Sequence, residues 1–156
     1  MKLKRIISGG QVGADQAGLD FAIANKIKHG GFCPKGRISL RGPIPSKYKL
    51  IESLTSRYPE RTRKNIELVP ATLIFTPIPM GRGSKLTMKI CDSLHRNYVV
   101  NPDLKTIMKF FETFEEINIA GSSMDEYYQI TIDSLQNAFN ELNSSFQIRP
   151  NRSYNN

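Results

Sequence analysis

The stretch Lys2–Asp15, KLKRIISGGQVGAD, reads as a short strand (Lys2–Ser8) stopped by Gly9-Gly10. Apolar residues at Ala14, Ala17, Phe21, Ala22 and Ala24 then follow a helical rhythm to about Asn25. Strand, glycine turn and helix are the opening unit of an α/β fold. Residues 71–76 (ATLIFT) form a continuous apolar run, the pattern of a strand buried on both faces and hence of a parallel sheet. A second glycine loop, Met80-Gly81-Arg82-Gly83-Ser84, leads into a helix carrying Leu86, Ile90, Cys91 and Leu94 on one stripe. Further strands are predicted near Gly31–Cys33, Tyr98–Val100 and Ile117–Ala120. Helices are predicted from Pro59 to about Glu67, through Leu104–Phe111, and through Tyr128–Leu142.

Alternating strands and helices need crossover connections, so the chain is expected to form one three-layer α/β/α Rossmann-like domain with an open, mainly parallel sheet. Its expected span is residues 1–142, followed by a polar tail over 143–156. A chain of 156 residues, 39% of them hydrophobic, supports one core of this kind. No apolar run approaches the roughly 18 residues of a membrane helix, and the first residues lack an apolar signal core. A soluble cytoplasmic protein is the expectation. Cys33 and Cys91 have no close partner spacing and give neither a disulfide framework nor a CxxC pair. His29 and Cys33 fall short of the four ligands of a structural zinc site, so no metal site is expected and both cysteines are placed in the core.

The formal charge is +8, from 22 Lys and Arg against 14 Asp and Glu. Residues 1–50 hold ten basic and two acidic side chains, whereas residues 101–156 hold four and eight. The basic part therefore coincides with the loops expected at the carboxyl edge of the sheet, where open α/β folds bind ligands. Gly9, Gly10, Gln11, Gly13 and Asp15 stand at one helix start, and Gly81, Gly83, Ser84 and Thr87 at another. Glycines admit close approach, and free amides with the positive helix end favour a phosphate. For Asp15, Ser84 and Thr87, helix capping is the competing explanation. The first loop has neither GxGxxG nor a GKS/T ending, so NAD binding and ATP hydrolysis are not indicated. Between the first two helices lies a long loop rich in Gly, Pro, Lys and Arg, with Lys35-Gly36-Arg37 pinned between Pro34 and Gly42-Pro43. Arg61 and Asn65, one turn apart, could offer a guanidinium and an amide to the same ligand.

With these motifs in order, ISGGQVGAD (7–15), HGGFCPKGR (29–37), GPIP (42–45), RTxxN (61–65), TLIFT (72–76), the Gly81/Gly83/Ser84/Thr87 loop and NIAG (118–121), the chain resembles the molybdenum carrier family over about residues 4–140. The resemblance implies a Rossmann-like fold related to the phosphoribohydrolases formerly called lysine decarboxylases. It also implies a ligand site in which Gly9, Gly10, Gln11 and Gly13 form one loop, and Lys35, Gly36 and Arg37 a second wall. Arg61 and Asn65 would be a third wall, with Gly81, Gly83, Ser84 and Thr87 opposite. The chain departs from the family where relatives carry a Gly-Gly-Thr loop, here Gly81-Arg82-Gly83-Ser84. It departs again where Pro-Arg-Glu-Ser follows NIAG, here Ser122-Ser123-Met124-Asp125.

The first expectation is a non-catalytic binding protein for an anionic, phosphate-bearing ligand, with molybdenum cofactor or a nucleotide as candidates and a homo-oligomer as an option. The alternative is a nucleotide N-glycosidase of the phosphoribohydrolase kind. Those relatives carry a glutamate pair after the second glycine loop, but this chain reads Ser84-Lys85-Leu86-Thr87-Met88, which leaves Asp15, Glu52 or Glu60 as substitutes. A nucleic-acid binder ranks last, because only Phe32, Tyr48 and Tyr58 interleave the basic stretches.

Overall fold

A computed structural model describes residues 1–147. Its central sheet contains β1 (Arg5–Ile7), β2 (Lys28–Gly30), β7 (Ala71–Phe75), β8 (Asn97–Val100) and β9 (Glu116–Gly121). They lie in the order β2-β1-β9-β7-β8, and every neighbouring pair is parallel. Between them run α1 (Ala14–Ala24), α2 (Tyr58–Leu68), α3 (Arg82–Ser93) and α4 (Leu104–Thr113), and α5 (Asp125–Gln147) follows β9. This is the single-domain α/β Rossmann-like architecture expected from the alternating pattern. Helix α5 continues past residue 142, and residues 148–156 of the expected tail lie outside the described residues.

One face of the sheet is covered by α1, α4 and α5, which meet Ile6, Leu73, Phe75, Ile117 and Ile119 through Phe21, Ile107, Phe111 and Leu135. On the other face, Ile66 of α2 packs with Ile90 and Cys91 of α3. All five residues of β7 are buried, in keeping with its uninterrupted apolar sequence and its position between two strands. Helix α1 approaches β9 closely because Gly18 faces Ile119; a Cβ at Gly18 would lie 2.7 Å from that side chain. Both cysteines are buried and free. Among the described residues, no helix is long and apolar enough to cross a membrane.

The strand expected near Gly31–Cys33 divides in two. Lys28–Gly30 pairs with β1, whereas Phe32–Cys33 (β3) leaves the sheet and pairs with Ile51–Glu52 (β6). Gly31 makes the break with φ +126, where an added Cβ would lie only 2.3 Å from the Ser8 carbonyl oxygen. The long loop that follows is ordered. It contains the hairpin β4 (Ile38–Ser39) and β5 (Gly42–Pro43), and buries Ile44 and Tyr48 against Leu19 and Cys33.

Candidate functional site

The carboxyl ends of β1, β9 and β7 lie along one edge. From there α1 leads outward to β2 on one side and α3 to β8 on the other, which opens a crevice above the central strands. A cavity of about 400 Å³ occupies it, within the usual range for small-ligand sites. Of the residues singled out in the sequence, Gly9, Gln11, Asp15, Arg61, Asn65, Gly81, Gly83, Ser84 and Thr87 line this cavity.

The first loop is closed on itself. Its amides at Gly10, Gln11 and Val12 donate to Ser8 Oγ, Asp15 Oδ2 and Gln11 Oε1. Ala14 N donates to Ser122 O at 3.0 Å, and Gln16 N to Gln11 O at 3.1 Å. Gly13, at φ +86, precedes α1 where a Cβ would lie 2.2 Å from Ser122 O. Gly10, at φ +78, faces Leu50 and Ile44 of the long loop. Neither Gly10 nor Gly13 lines the cavity; both make close packing possible. Gln11 ties three segments together, since its Oε1 also accepts from Leu40 N and its Nε2 donates to the Tyr58 hydroxyl.

Asp15 and Arg61 form the cavity's buried ion pair, Nη1 to Oδ2 at 3.1 Å, with side chains only 6% and 14% exposed respectively. Burial pushes the Asp15 carboxyl up from its ordinary value, against the opposing pull of Arg61 and of the Gln11 amide. Arg61 crosses Gly9, where a Cβ would sit 1.7 Å from Nη1, and its guanidinium lies over the Tyr58 ring at 5.5 Å. The Arg61 Nε is buried without a partner among the described residues. Asn65 faces the same cavity, but its amide is engaged by the backbone of Phe32, accepting from N at 2.7 Å and donating to O at 2.9 Å.

The second loop is open. Gly81 caps α3 without a side-chain bond, and the first helical hydrogen bond runs from Lys85 N to Gly81 O. The amides of Arg82, Gly83 and Ser84 therefore face outward from the helix start without partners among the described residues. Ser84 is largely buried, and its hydroxyl opens into the cavity without a partner there, whereas Thr87 Oγ1 donates back to Gly83 O at 3.0 Å. A Cβ at Gly81 or Gly83 would meet nothing within 4 Å. Asn101 holds the loop in place, accepting from Thr76 N and donating to Thr76 O, each at 2.9 Å.

Lys35, Gly36 and Arg37 lie outside the cavity. The Arg37 guanidinium donates to the carbonyls of Ile44, Pro45 and Tyr48, Gly36 N donates to Glu52 Oε1, and Lys35 N donates to Thr55 O. These residues brace the long loop. Elsewhere, Lys4, Arg5, Arg41, Lys47, Arg63 and Lys64 are each paired with a carboxylate. The charged lining of the cavity thus reduces to the Asp15–Arg61 pair and Arg82. That is a much smaller positive field than the chain's charge distribution suggests.

Sequence reasoning missed Leu40, Tyr58 and Thr62 as lining residues, together with Thr76 and the segment Asn118–Met124. Asn118–Met124 reaches the site because β9, late in the chain, is inserted between β1 and β7. The NIAG motif was its one visible signal. Gly121 is required there, since a Cβ would lie 1.9 Å from Phe75 O.

A family model described as the circularly permutated YpsA SLOG family matches residues 6–139. The crystal structure of a "Putative molybdenum carrier protein" from Syntrophus aciditrophicus SB shares 36% sequence identity with the chain, at a TM-score of 0.80. The likeness covers 88% of this chain and 95% of that one. No curated protein matches.

Proposed function

Because the chain belongs to the circularly permutated YpsA SLOG family, we propose that it binds a nucleotide-derived or pterin ligand by a phosphate monoester at the start of α3. The observation that carries this reading is the open turn Gly81–Ser84. It combines amides and a Ser84 hydroxyl without partners among the described residues, the hydroxyl opening into the cavity, with two glycines whose missing Cβ atoms leave empty space there. One helix start and, among the described residues, one unpaired lining cation, Arg82, match a single phosphate of about two negative charges better than a triphosphate.

Molybdenum cofactor is a candidate because its phosphate could take this same position. The amides of Arg82–Ser84 and the Ser84 hydroxyl would hold that phosphate, and the chain's part would be to bind and orient it. The redox chemistry belongs to the cofactor's own metal. Among the described residues there is no cluster of three or more His, Cys, Asp or Glu for a metal ion, so the fit rests on the phosphate and the pterin.

The glycosidase alternative needs a carboxylate placed to activate water. Glu52 is engaged by Gly36 N, and Glu60 by the amides of Leu54 and Thr55. Asp15 lines the cavity but is tied to Arg61 and the Gln11 amide. These ties favour binding over hydrolysis. The deciding experiment is thermal unfolding of the purified chain with nucleoside monophosphates and with molybdopterin-type ligands. A bound ligand at a hundred times its Kd adds about 2.7 kcal/mol. Absence of stabilisation by every phosphate ligand would remove the reading, and release of free base from a nucleoside monophosphate would replace it with the hydrolase.

A further inference from the structure

At the mouth of the cavity, three large side chains stand exposed together: Leu40 at 67%, Met124 at 52% and Tyr58 at 38%. All three also line the cavity. They arrive from different parts of the chain, namely the β4–β5 turn, the loop before α5 and the first residue of α2.

Polar contacts hold them on one rim. The Leu40 amide donates to Gln11 Oε1 at 3.0 Å, and Gln11 Nε2 reaches the Tyr58 hydroxyl at 3.3 Å. Arg41, next to Leu40, pairs with Asp125, next to Met124, at 2.5 Å. The hairpin thus spans the opening from the first loop to the start of α5. Nothing in the core requires Leu40 or Met124 to be apolar, because neither is buried. An apolar group on such a rim is stabilised when it covers something flat and apolar.

We propose that Leu40, Met124 and Tyr58 form a subsite for the planar heteroaromatic ring of the ligand, with the β4–β5 hairpin positioned over that ring. The inference rests on the phosphate reading for the other end of the ligand, since the rim is continuous with the cavity that contains Gly81–Ser84. Tyr58 offers a ring face already polarised by the Arg61 guanidinium. Leu40 and Met124 contribute adaptable apolar surface without a hydrogen-bonding pattern. The subsite therefore selects for a ring and discriminates weakly among rings.

The test uses the full chain and calorimetric titration with four kinds of probe. AMP and GMP carry ring and phosphate; adenosine and dihydroneopterin carry only a ring; ribose 5-phosphate carries only the phosphate; inorganic phosphate is the control. At least one ring-bearing phosphate is expected to bind tenfold or more tighter than ribose 5-phosphate. The L40A/M124A double variant, whose altered side chains are exposed and whose melting temperature should match the parent, is expected to lose roughly that tenfold. Its affinity for ribose 5-phosphate should not change.

Equal affinity for ring-bearing and ring-less phosphates would overturn the ring subsite while leaving the phosphate reading intact. Binding of adenosine or dihydroneopterin that weakens in L40A/M124A, with no gain in affinity from an added phosphate and no binding of ribose 5-phosphate, would retain the subsite and remove the phosphate reading. Failure of every probe to bind would remove both. A chain that dimerises in solution and becomes monomeric in L40A/M124A would assign the rim to a second copy and overturn the proposal.

Discussion

Two loops stand at the carboxyl edge of the same sheet, each with glycines followed by a helix, and they differ in what the glycines face. In Ser8–Asp15 the missing side chains make room for the chain itself: Gly13 for Ser122 O, Gly10 for Leu50, and Gly9 for Arg61. The Gly10, Gln11 and Val12 amides of that loop are occupied by its own side chains, and the Ala14 amide by the β9–α5 connection. In Gly81–Ser84, among the described residues, the missing side chains face nothing within 4 Å and the helix start has no partner. A glycine that the fold requires marks packing, whereas one that the fold does not require, at an open helix start, marks room for a ligand.

The strongest way to break this contrast is a pair of alanine substitutions. Gly13→Ala forces a side chain into φ +86 against a carbonyl 2.2 Å away. It is expected to cost about 3 kcal/mol or more by urea denaturation, or to prevent folding. Gly83→Ala lies in the first turn of α3 with open space around it. It should leave stability unchanged or raise it by up to about 1 kcal/mol. Similar losses at both positions would show that the second loop is as tightly fitted as the first.

Arg61→Ala tests the closed loop from the side of charge. It leaves Asp15 buried without its cation, and a loss of about 3 kcal/mol at neutral pH is expected. The pH dependence has a definite sign. The folded-state pKa of Asp15 lies above its ordinary value of 3.8 because of burial, so the folded chain holds the proton more tightly than the unfolded one. The stability associated with this group is fully present below 3.8 and is lost as pH rises through the folded-state value. Since Arg61 pulls that value down, R61A should recover more stability on acidification than the parent. Parallel pH profiles for the two proteins would contradict the pairing.

Much of this arrangement was legible in the sequence, for identifiable reasons. ATLIF announced a strand buried on both faces, and the parallel sheet with its edge loops followed from that. Arg61 and Asn65 share a helical face and do reach the same cavity. Strand order was not legible, because periodicity says nothing of which strands pair; the central place of β9 therefore stayed hidden, and with it the role of Ser122–Met124. Nor could composition say where a guanidinium points. Arg37 reads as a ligand donor in HGGFCPKGR but is held by the carbonyls of Ile44, Pro45 and Tyr48.

Ser84→Ala probes the open loop alone. The substitution is small, and it removes a hydroxyl that has no partner among the described residues. Stability should change by less than about 0.5 kcal/mol. Affinity for a phosphate ligand should fall roughly tenfold, the ordinary size of a hydrogen bond to a charged group. The opposite pattern, lost stability with unchanged affinity, would make Ser84 a residue of the helix start only.

The smallest effect concerns the long loop that fills the space beside Gly10. His29 Nε2 accepts a hydrogen bond from Lys49 N at 3.0 Å, which only the neutral ring can do. Burial holds the His29 pKa below its ordinary 6.5, the Lys49 charge adds to this, and a hydrogen bond to the Lys47 backbone opposes it. The unfolded chain therefore takes up the proton first. The stability from this group is present above 6.5 and lost as pH falls from there toward the folded-state value. His29→Gln keeps an acceptor without a titrating ring, so its denaturation midpoint should fall less between pH 7.5 and 5.5 than the parent's. An identical fall would mean that Arg37 and the buried Ile44 and Tyr48 hold the loop without help from His29. In that case the closed character of the first loop is independent of pH across this range.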